Sequence, residues 1–252
     1  TGSNAKMLSK EVATTLGGRF FIYDTYPYSF KEYLAAQQME LREHWEFDTI
    51  QRSQVKRHLN EYFYYGGLPE ILLFKNKRAM LSSLYQKIYL GDICARNNIK
   101  NDRVLNILVK KMAESVKQPL SYNRLKNVIV TTGSSISVPT TIDYVDYASD
   151  SWLILSMENE VGKLTEKEMQ KKYYFVDNGL LNLFLMNSET SLLENMVAVE
   201  LCRRFGKKNV FFLNAEKEID FIVPDGKLAI QVSYSIKNVN TYNKEVPPLV
   251  KY

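Results

Sequence analysis

The residues best placed to do chemistry lie in the last quarter of the chain. Glu194 falls at the start of residues 193–205, where apolar residues recur every four positions as in an amphipathic helix. Asp220 lies in a segment with strand alternation, and Gln231 and Ser233 occupy alternate positions of a second such segment. Because side chains alternate faces along a strand, these three polar residues are expected on one side of two neighbouring strands, next to Glu194.

Clustered carboxylates of this kind can hold a hard divalent cation and activate water for phosphodiester cleavage. The layout is that of a metal-dependent nuclease core, which requires Glu-x-Lys where this chain has Gln231-Val232-Ser233. One expected ligand is therefore a neutral amide, and no lysine is placed to stabilise the charge that develops on the phosphoryl group. The sequence predicts a nuclease-like fold with a degenerate site and no bound metal.

Two alternatives remain open for these residues. In the first, Glu194 and Glu200 are ordinary acids of an amphipathic helix and Asp220 is a strand-end residue, since three polar residues make a weak motif. In the second, a lysine from elsewhere, with Lys227 and Lys237 close in sequence, restores the chemistry if its ammonium reaches the reacting phosphate. The second alternative keeps a Mg²⁺-dependent nuclease as a rival function.

Composition places the chain among ordinary globular proteins. It has 252 residues, of which 45% are hydrophobic and 24% charged, and a formal net charge of +5. No apolar run reaches the length of a membrane span, and no signal-peptide pattern opens the sequence. Cys94 and Cys202 stand alone beside two histidines, which argues against a zinc site and for a reducing, cytoplasmic environment.

A compact unit at residues 119–157 has the order helix, turn, helix and extended segment that is typical of a winged helix. Its second helix carries three aspartates and no basic residue, whereas a recognition helix usually presents basic or amide side chains to DNA. A scaffold or protein-contact role is therefore at least as well supported as DNA binding. Any nucleic-acid affinity is expected from a basic segment with Lys110, Lys111, Lys117, Arg124 and Lys126 as its candidate residues.

Several strings, in a specific order, carry a resemblance to a known family. They are Thr1-Gly2-Ser3-Asn4, Tyr28-Ser29-Phe30-Lys31-Glu32-Tyr33-Leu34, Tyr65-Gly66-Gly67-Leu68-Pro69-Glu70, residues 173–180, and Leu193-Glu194-Asn195 with Glu218-Ile219-Asp220-Phe221. Together they resemble the prokaryotic AAA+-type ATPases that carry a C-terminal domain of unknown function, built from a winged helix and a restriction-endonuclease-like fold.

The resemblance implies an α+β, multi-domain chain. It places the end of an AAA+ ATPase core at residues 1–44, a helical linker and winged-helix domain at residues 45–162, and a small α/β restriction-endonuclease-like domain at residues 163–252. The first ten residues of the last region mix charges of both signs. Residues 163–172 are therefore expected to form a linker or surface helix with a solvated face.

The resemblance also implies that Asn4 and Arg19 sense a bound nucleotide, Asn4 near its γ-phosphate and Arg19 as a sensor or finger arginine. The alternatives are a helix N-cap for Asn4 and a surface charge for Arg19. No Gly-x-x-x-x-Gly-Lys-Ser/Thr loop occurs in the chain, and that loop is required to hold the nucleotide phosphates. The chain is therefore expected to be the C-terminal portion of a longer ATPase and to hydrolyse no ATP alone.

The expected function is that of a regulatory module that binds an unidentified protein partner. The full-length protein is expected to use ATP and Mg²⁺, and this chain alone no cofactor. No membrane association is expected, whereas nucleic acid and a homo-oligomer formed through the ATPase core are candidate partners. The rival functions are a Mg²⁺-dependent nuclease and a DNA-binding winged-helix module.

Overall fold

The computed structural model describes residues 21, 23–215, 218–237, 246, 247 and 249. Over these residues the protein has a mixed α+β fold, as the sequence predicted. Its first half is helical. The elements are α1 (Phe30–Ala36), a 3₁₀ turn (Trp45–Phe47), α2 (Thr49–Tyr65), a second 3₁₀ turn (Pro69–Leu73), α3 (Lys77–Gln86), a π-helical continuation (Lys87–Ala95) and α4 (Asp102–Glu114).

The second half alternates strands and helices. Its elements are β1 (Leu120–Ser121), α5 (Tyr122–Thr131), α6 (Val138–Asp150), β2 (Ile154–Met157), α7 (Leu164–Met169), β3 (Gln170–Phe175), α8 (Asn178–Asn182), α9 (Glu189–Phe205), a 3₁₀ turn (Lys207–Asn209), β4 (Phe211–Asn214), β5 (Glu218–Val223) and β6 (Leu228–Ile230).

The described strands form two antiparallel sheets of three strands each. The first has the order β1-β3-β2, with Ile154 of β2 opposite Phe175 of β3. The second has the order β4-β5-β6, with Phe221 of β5 opposite Ile230 of β6. An isolated parallel bridge between Asn159 and Phe212 links the segment after β2 to β4. Strand pairing therefore runs across residues 162 and 163, where the sequence suggested a domain boundary.

Helix starts follow from local capping residues. At the start of α1, Ser29 accepts a bond from the Glu32 amide and Glu32 accepts one from the Ser29 amide, which is a capping box. Ser121 and Ser137 accept bonds from backbone amides in the first turns of α5 and α6. These side chains satisfy amides that have no partner within the helix, so the helix starts are encoded locally.

One large hydrophobic core joins the two halves. It includes Leu105 and Leu108 of α4, Tyr174 and Phe175 of β3, and Phe221 of β5, all fully buried. Because residues 172–175 of β3 are all buried, both faces of this end of the strand are covered by protein. A polar side chain on this part of β3 therefore needs a hydrogen-bond or ion-pair partner, because its burial without one is unfavourable.

The segment before β3 differs from its sequence-based prediction. Residues 163–172 were expected to form a solvated linker or surface helix, but the helix ends at Met169 and the chain enters β3 at Gln170. Lys172 is 0% exposed. The expectation of an exposed helix holds for Leu164–Met169 and is wrong for residues 170–172, where a run of charges concealed the alternation of a short strand.

Candidate functional site

The four predicted site residues lie around one cavity of about 400 Å³. Glu194 projects from α9 and Asp220 from β5, and both are buried. Gln231 and Ser233 follow the end of β6, so they lie in a loop and not in the strand that the sequence suggested. The helix α9 also begins earlier than predicted, at Glu189, which places Glu194 in its second turn.

A lysine that the sequence did not suggest lies at the centre of these acids. The Nζ atom of Lys172 is 3.5 Å from Glu194 Oε1, 3.3 Å from Asp220 Oδ1 and 3.8 Å from Glu218 Oε1. The lysine side chain is fully buried, and those of Glu194 and Asp220 are 4% and 8% exposed. These four residues form what we call the Lys172 cluster. It joins β3, α9 and β5 through one ammonium group.

Tyr174 supports the cluster from the same strand. It lies two residues after Lys172, on the same face of β3, and its hydroxyl donates a 2.9 Å hydrogen bond to Glu194 Oε1. Burial raises the pKa of Glu194 to about 7, with Asp220 adding to the rise and Lys172 opposing it. Burial and the neighbouring Glu194 hold the pKa of Tyr174 well above its usual range, so the hydroxyl remains a donor. Glu194 therefore takes up a proton more readily than an exposed glutamate does.

Gln231 and Ser233 bond to the backbone around the cavity. The backbone amide of Asp220 donates to Gln231 Oε1 at 3.1 Å, and the Val232 amide donates to Asp220 Oδ2 at 2.9 Å. The Ser233 hydroxyl donates to the carbonyl of Ser235 at 3.2 Å. The amide oxygen that would replace a carboxylate ligand therefore already accepts a hydrogen bond, as do both oxygens of Asp220, Oδ1 from Lys172 and Oδ2 from the Val232 amide.

The described residues contain no group of three or more acidic, histidine or cysteine side chains that could hold a metal ion. The ammonium of Lys172 lies where the carboxylates converge, so a divalent cation placed there would meet a positive charge at close range. The donor set thus fits an ammonium group better than a hard divalent ion.

One of the five basic candidates reaches the cavity. Lys117 lines it, and its Nζ atom donates to Thr190 Oγ1 at 3.0 Å. Lys111 instead pairs with Glu114 on its own helix at 3.4 Å. Lys110, Arg124 and Lys126 lie on α4 or α5 and do not line the cavity.

The two expected nucleotide-sensing residues, Asn4 and Arg19, lie outside the described residues.

The chain matches the family model described as Domain of unknown function (DUF8612) over residues 56–191, which is more than half of its length. The chain belongs to this family. The matched region includes Lys172 and ends before Glu194 and Asp220. The family model therefore covers one part of the cluster and leaves the other parts outside.

Two curated relatives match nearly the whole chain. An uncharacterized protein of Methanocaldococcus jannaschii is 30% identical over 95% of the chain and 56% of the relative's own length. An uncharacterized protein of Haemophilus influenzae is 31% identical over 97% of the chain and 60% of that relative. The chain therefore spans less than two thirds of either protein. No solved structure matches the sequence.

Helices in the described part of the chain are too short or too polar to cross a bilayer.

A sequence signal for Lys172 existed but was weak. The apolar run at residues 173–177 predicts a strand, of which β3 contains residues 173–175, and Lys172 directly precedes this run, two residues before Tyr174. Extending that strand back by three residues would have placed the lysine on the face of Tyr174. The preceding run of charged residues favoured a solvated segment instead.

Proposed function

We propose that this chain is the C-terminal part of a cytoplasmic P-loop ATPase and acts as a regulatory, partner-binding module with a degenerate nuclease-like site. The order α5, α6, β2 and β3 supports a winged helix. The acidic helix α9 followed by β4, β5 and β6 supports a restriction-endonuclease-like unit. The greater length of both relatives supports a larger protein.

The observation that carries the proposal is the ammonium of Lys172 among three carboxylates. A divalent ion in a nuclease neutralises carboxylates, polarises the phosphoryl group and lowers the pKa of a bound water. A buried ammonium performs the first of these tasks and neither of the others, because it has no open coordination position. The cluster is thus a means of holding β3, α9 and β5 together without a reaction.

The remaining positions of the site support the same interpretation. Gln231 accepts a bond from the Asp220 amide, and Ser233 donates to a carbonyl of its own loop. Neither side chain offers the second carboxylate or the mobile lysine that phosphodiester cleavage requires. A cavity that catalyses no reaction can instead bind a partner. Its walls carry both a positive and a negative side chain, Lys117 and Glu218.

The nucleotide-dependent part of the proposal rests on the sequence resemblance. In the full-length protein, ATP and Mg²⁺ would bind an AAA+ core through which copies of the chain could associate. Asn4 and Arg19 would then report the nucleotide state to this module. Phosphate release by the isolated chain at high concentration, lost on Asn4→Ala or Arg19→Ala, would contradict the expectation that it hydrolyses no ATP alone.

The position of Lys172 also favours one rival function. A nuclease site needs a lysine near its carboxylates, and Lys172 provides one from a different strand than expected. In that case the lysine would shift away from Glu194 when a Mg²⁺ ion and a phosphodiester bind. This active Mg²⁺-dependent nuclease is the second candidate function.

Metal titration separates the two candidates. We expect no Mn²⁺ or Mg²⁺ binding by isothermal titration calorimetry, and no cleavage of single- or double-stranded DNA or RNA by the wild-type chain. Asp220→Ala removes a cluster carboxylate, and Asp143→Asn is a control on the exposed surface of α6. Cleavage by wild type and by the Asp143 variant that disappears in the Asp220 variant would refute a degenerate site and establish the nuclease.

A further inference from the structure

A tight joint connects the helical first half to the strand that carries Lys172. A Cβ atom added to Gly67 would lie 2.2 Å from the carbonyl oxygen of Tyr28, and one added to Gly179 would lie 2.2 Å from that of Tyr65. At Gly66, whose φ is +78°, an added Cβ would lie 1.9 Å from Asp177 Oδ1. Glycine is required at Gly67 and Gly179 because another backbone lies against them, and at Gly66 because its φ is positive and the Asp177 side chain lies against it.

Asp177 is the carboxylate at the centre of this joint. Its Oδ2 atom accepts a 2.7 Å bond from the Gly67 amide, and its Oδ1 atom accepts a 2.8 Å bond from the Gly179 amide. The residue is 4% exposed and caps the N-terminus of α8. Burial raises the pKa of Asp177 to about 6, although backbone amides of the loop and of α8 lower it. One side chain therefore fastens the loop after α2 to the end of β3.

The irregular segment at residues 23–28, which we call the strap, is attached to the loop side of the joint. The amide of Tyr28 donates to the Gly67 carbonyl at 2.8 Å. The Tyr62 hydroxyl in turn donates to the Tyr28 carbonyl at 2.8 Å. Movement of this end of the strap would therefore move the loop that Asp177 holds.

The strap is also attached, at both of its ends, to residues in the last turn of α9 and just after it. Arg203 donates from Nη2 to the carbonyl of Pro27 at 2.8 Å. Lys207 pairs with Asp24 at 3.3 Å, and its ammonium lies 4.7 Å from the ring centre of Trp152. The ring of Trp152 also meets the strap, edge-on, at Tyr26. These contacts are partly exposed, so the strap can detach at a lower cost than the joint.

Hydrogen bonds beside the joint lead to Asn195, the chain neighbour of Glu194 in the Lys172 cluster. Asn195, adjacent to Glu194 on α9, bonds to both backbone groups of Phe175, at 2.7 Å to its amide and 3.0 Å to its carbonyl. Asn178, next to Asp177, bonds to Asn195 at 2.9 Å. The same two elements that meet in the cluster, β3 and α9, are thus tied together beside the joint.

We propose that the strap, Gly67 and Asp177 form a latch that keeps the Lys172 cluster closed, and that release of the strap opens it. The strap precedes all other described residues except Phe21. In a longer protein, a preceding region could therefore pull on the strap and so change the state of the Lys172 cluster. This proposal depends on the proposed function in one respect only, namely that the Lys172 cluster is the site that is regulated. It requires neither metal binding nor its absence.

Chemical acylation of Lys172 measures the opening. The side chain is 0% exposed, so acetylation by an N-hydroxysuccinimide ester requires the cluster to open first. Site-specific rates follow from mass spectrometry of digested protein. Asp177→Asn removes one of the two carboxylate acceptors and keeps the size of the side chain. We expect the Lys172 rate to rise roughly tenfold to a hundredfold, as for the loss of a hydrogen bond to a charged acceptor.

Two further variants separate a latch from general destabilisation. Lys207→Met weakens the strap at a partly exposed position without touching the joint, and should raise the Lys172 rate roughly two- to fivefold. Asp143→Asn makes the same chemical change as the joint variant on the exposed surface of α6, and should leave the rate unchanged. Urea unfolding of each variant gives the rate that global unfolding alone would produce.

Each outcome decides the proposal. Raised Lys172 rates in both the Asp177 and Lys207 variants, beyond what global unfolding accounts for, would support the latch. No excess rise in either variant would overturn it, and so would a rise in the Asp177 variant alone, because the strap would then control nothing. Divalent-ion binding by the wild type would contradict the proposed function. The acetylation rates are measured without metal, so they would still test the latch.

Discussion

Replacing Lys172 by methionine is the sharpest perturbation of the cluster. The variant keeps a long flexible side chain and removes the ammonium that lies 3.3 Å from Asp220 and 3.5 Å from Glu194. Both carboxylates are nearly inaccessible to water, so they would be left without their cation in a site of low polarity. The change therefore tests whether a charge, and not merely a hydrocarbon chain, is required at this point.

The expected cost follows from the burial of the three groups. Removing one partner of a buried ion pair typically destabilises a protein by about 3–5 kcal/mol, a large part of an ordinary stability of about 5–15 kcal/mol. Lys171 offers a matched control one residue earlier, because it pairs with Glu158 and Glu168, which are 42% and 60% exposed. Lys171→Met should cost less than about 1 kcal/mol.

Urea unfolding at two pH values measures both variants. At pH 8, Lys172→Met should lower the unfolding midpoint far more than Lys171→Met. At pH 5 the difference should shrink, because the pKa of Glu194 is already raised to about 7 and the acid takes up a proton. Equal costs for the two lysine variants at pH 8 would show that the ammonium of Lys172 has no special role, and the argument for a built-in cation would fail.

Three further outcomes test separate parts of the structure. Burial raises the pKa of Glu194 from 4.5 to about 7, so the free energy of unfolding of the wild type relative to Glu194→Gln should be highest below about pH 4.5. Urea unfolding should show it fall by at most about 3 kcal/mol between there and pH 7. A rise with pH would contradict the raised pKa. Gly67→Ala should lower stability by about 1–3 kcal/mol, because its Cβ would meet the Tyr28 carbonyl, whereas Gly91→Ala, with nothing within 4 Å, should not. Lys117→Glu should flatten the salt dependence of any DNA binding by about one unit, and an unchanged slope would exclude a phosphate contact there.

Local signals were sufficient to predict several helices from the sequence. Ser121 before the first turn and Gly133 after the last predict a helix at Tyr122–Thr131, and α5 has these bounds. Ser29 with Glu32 three residues later likewise predicts a capping box, and α1 begins directly after Ser29. Such signals depend on residues within one turn of each other, which is why they can be read without the fold.

The centre of the site could not be predicted in this way. Lys172 and Glu194 are 22 positions apart, and the lysine stands at the end of a run of charges that is typical of solvent-exposed segments. The sequence predicted that Gln231 lies in a strand, but β6 ends one residue earlier, at Ile230. The Gln231 side chain there accepts a hydrogen bond from the backbone amide of Asp220. Both features result from how β3, α9 and β5 pack, and no short stretch of sequence encodes that packing.

Strand β3 limits how this protein can be divided or recombined. Its backbone pairs with β1 on one side and β2 on the other, while Lys172 at its third residue binds acids from α9 and β5. A fragment that began at residue 163 would carry the strand without either neighbour, and the complementary fragment would keep two strands with nothing between them. Exposed edges of this kind favour aggregation. The two regions are therefore expected to be inherited, exchanged and expressed as one piece.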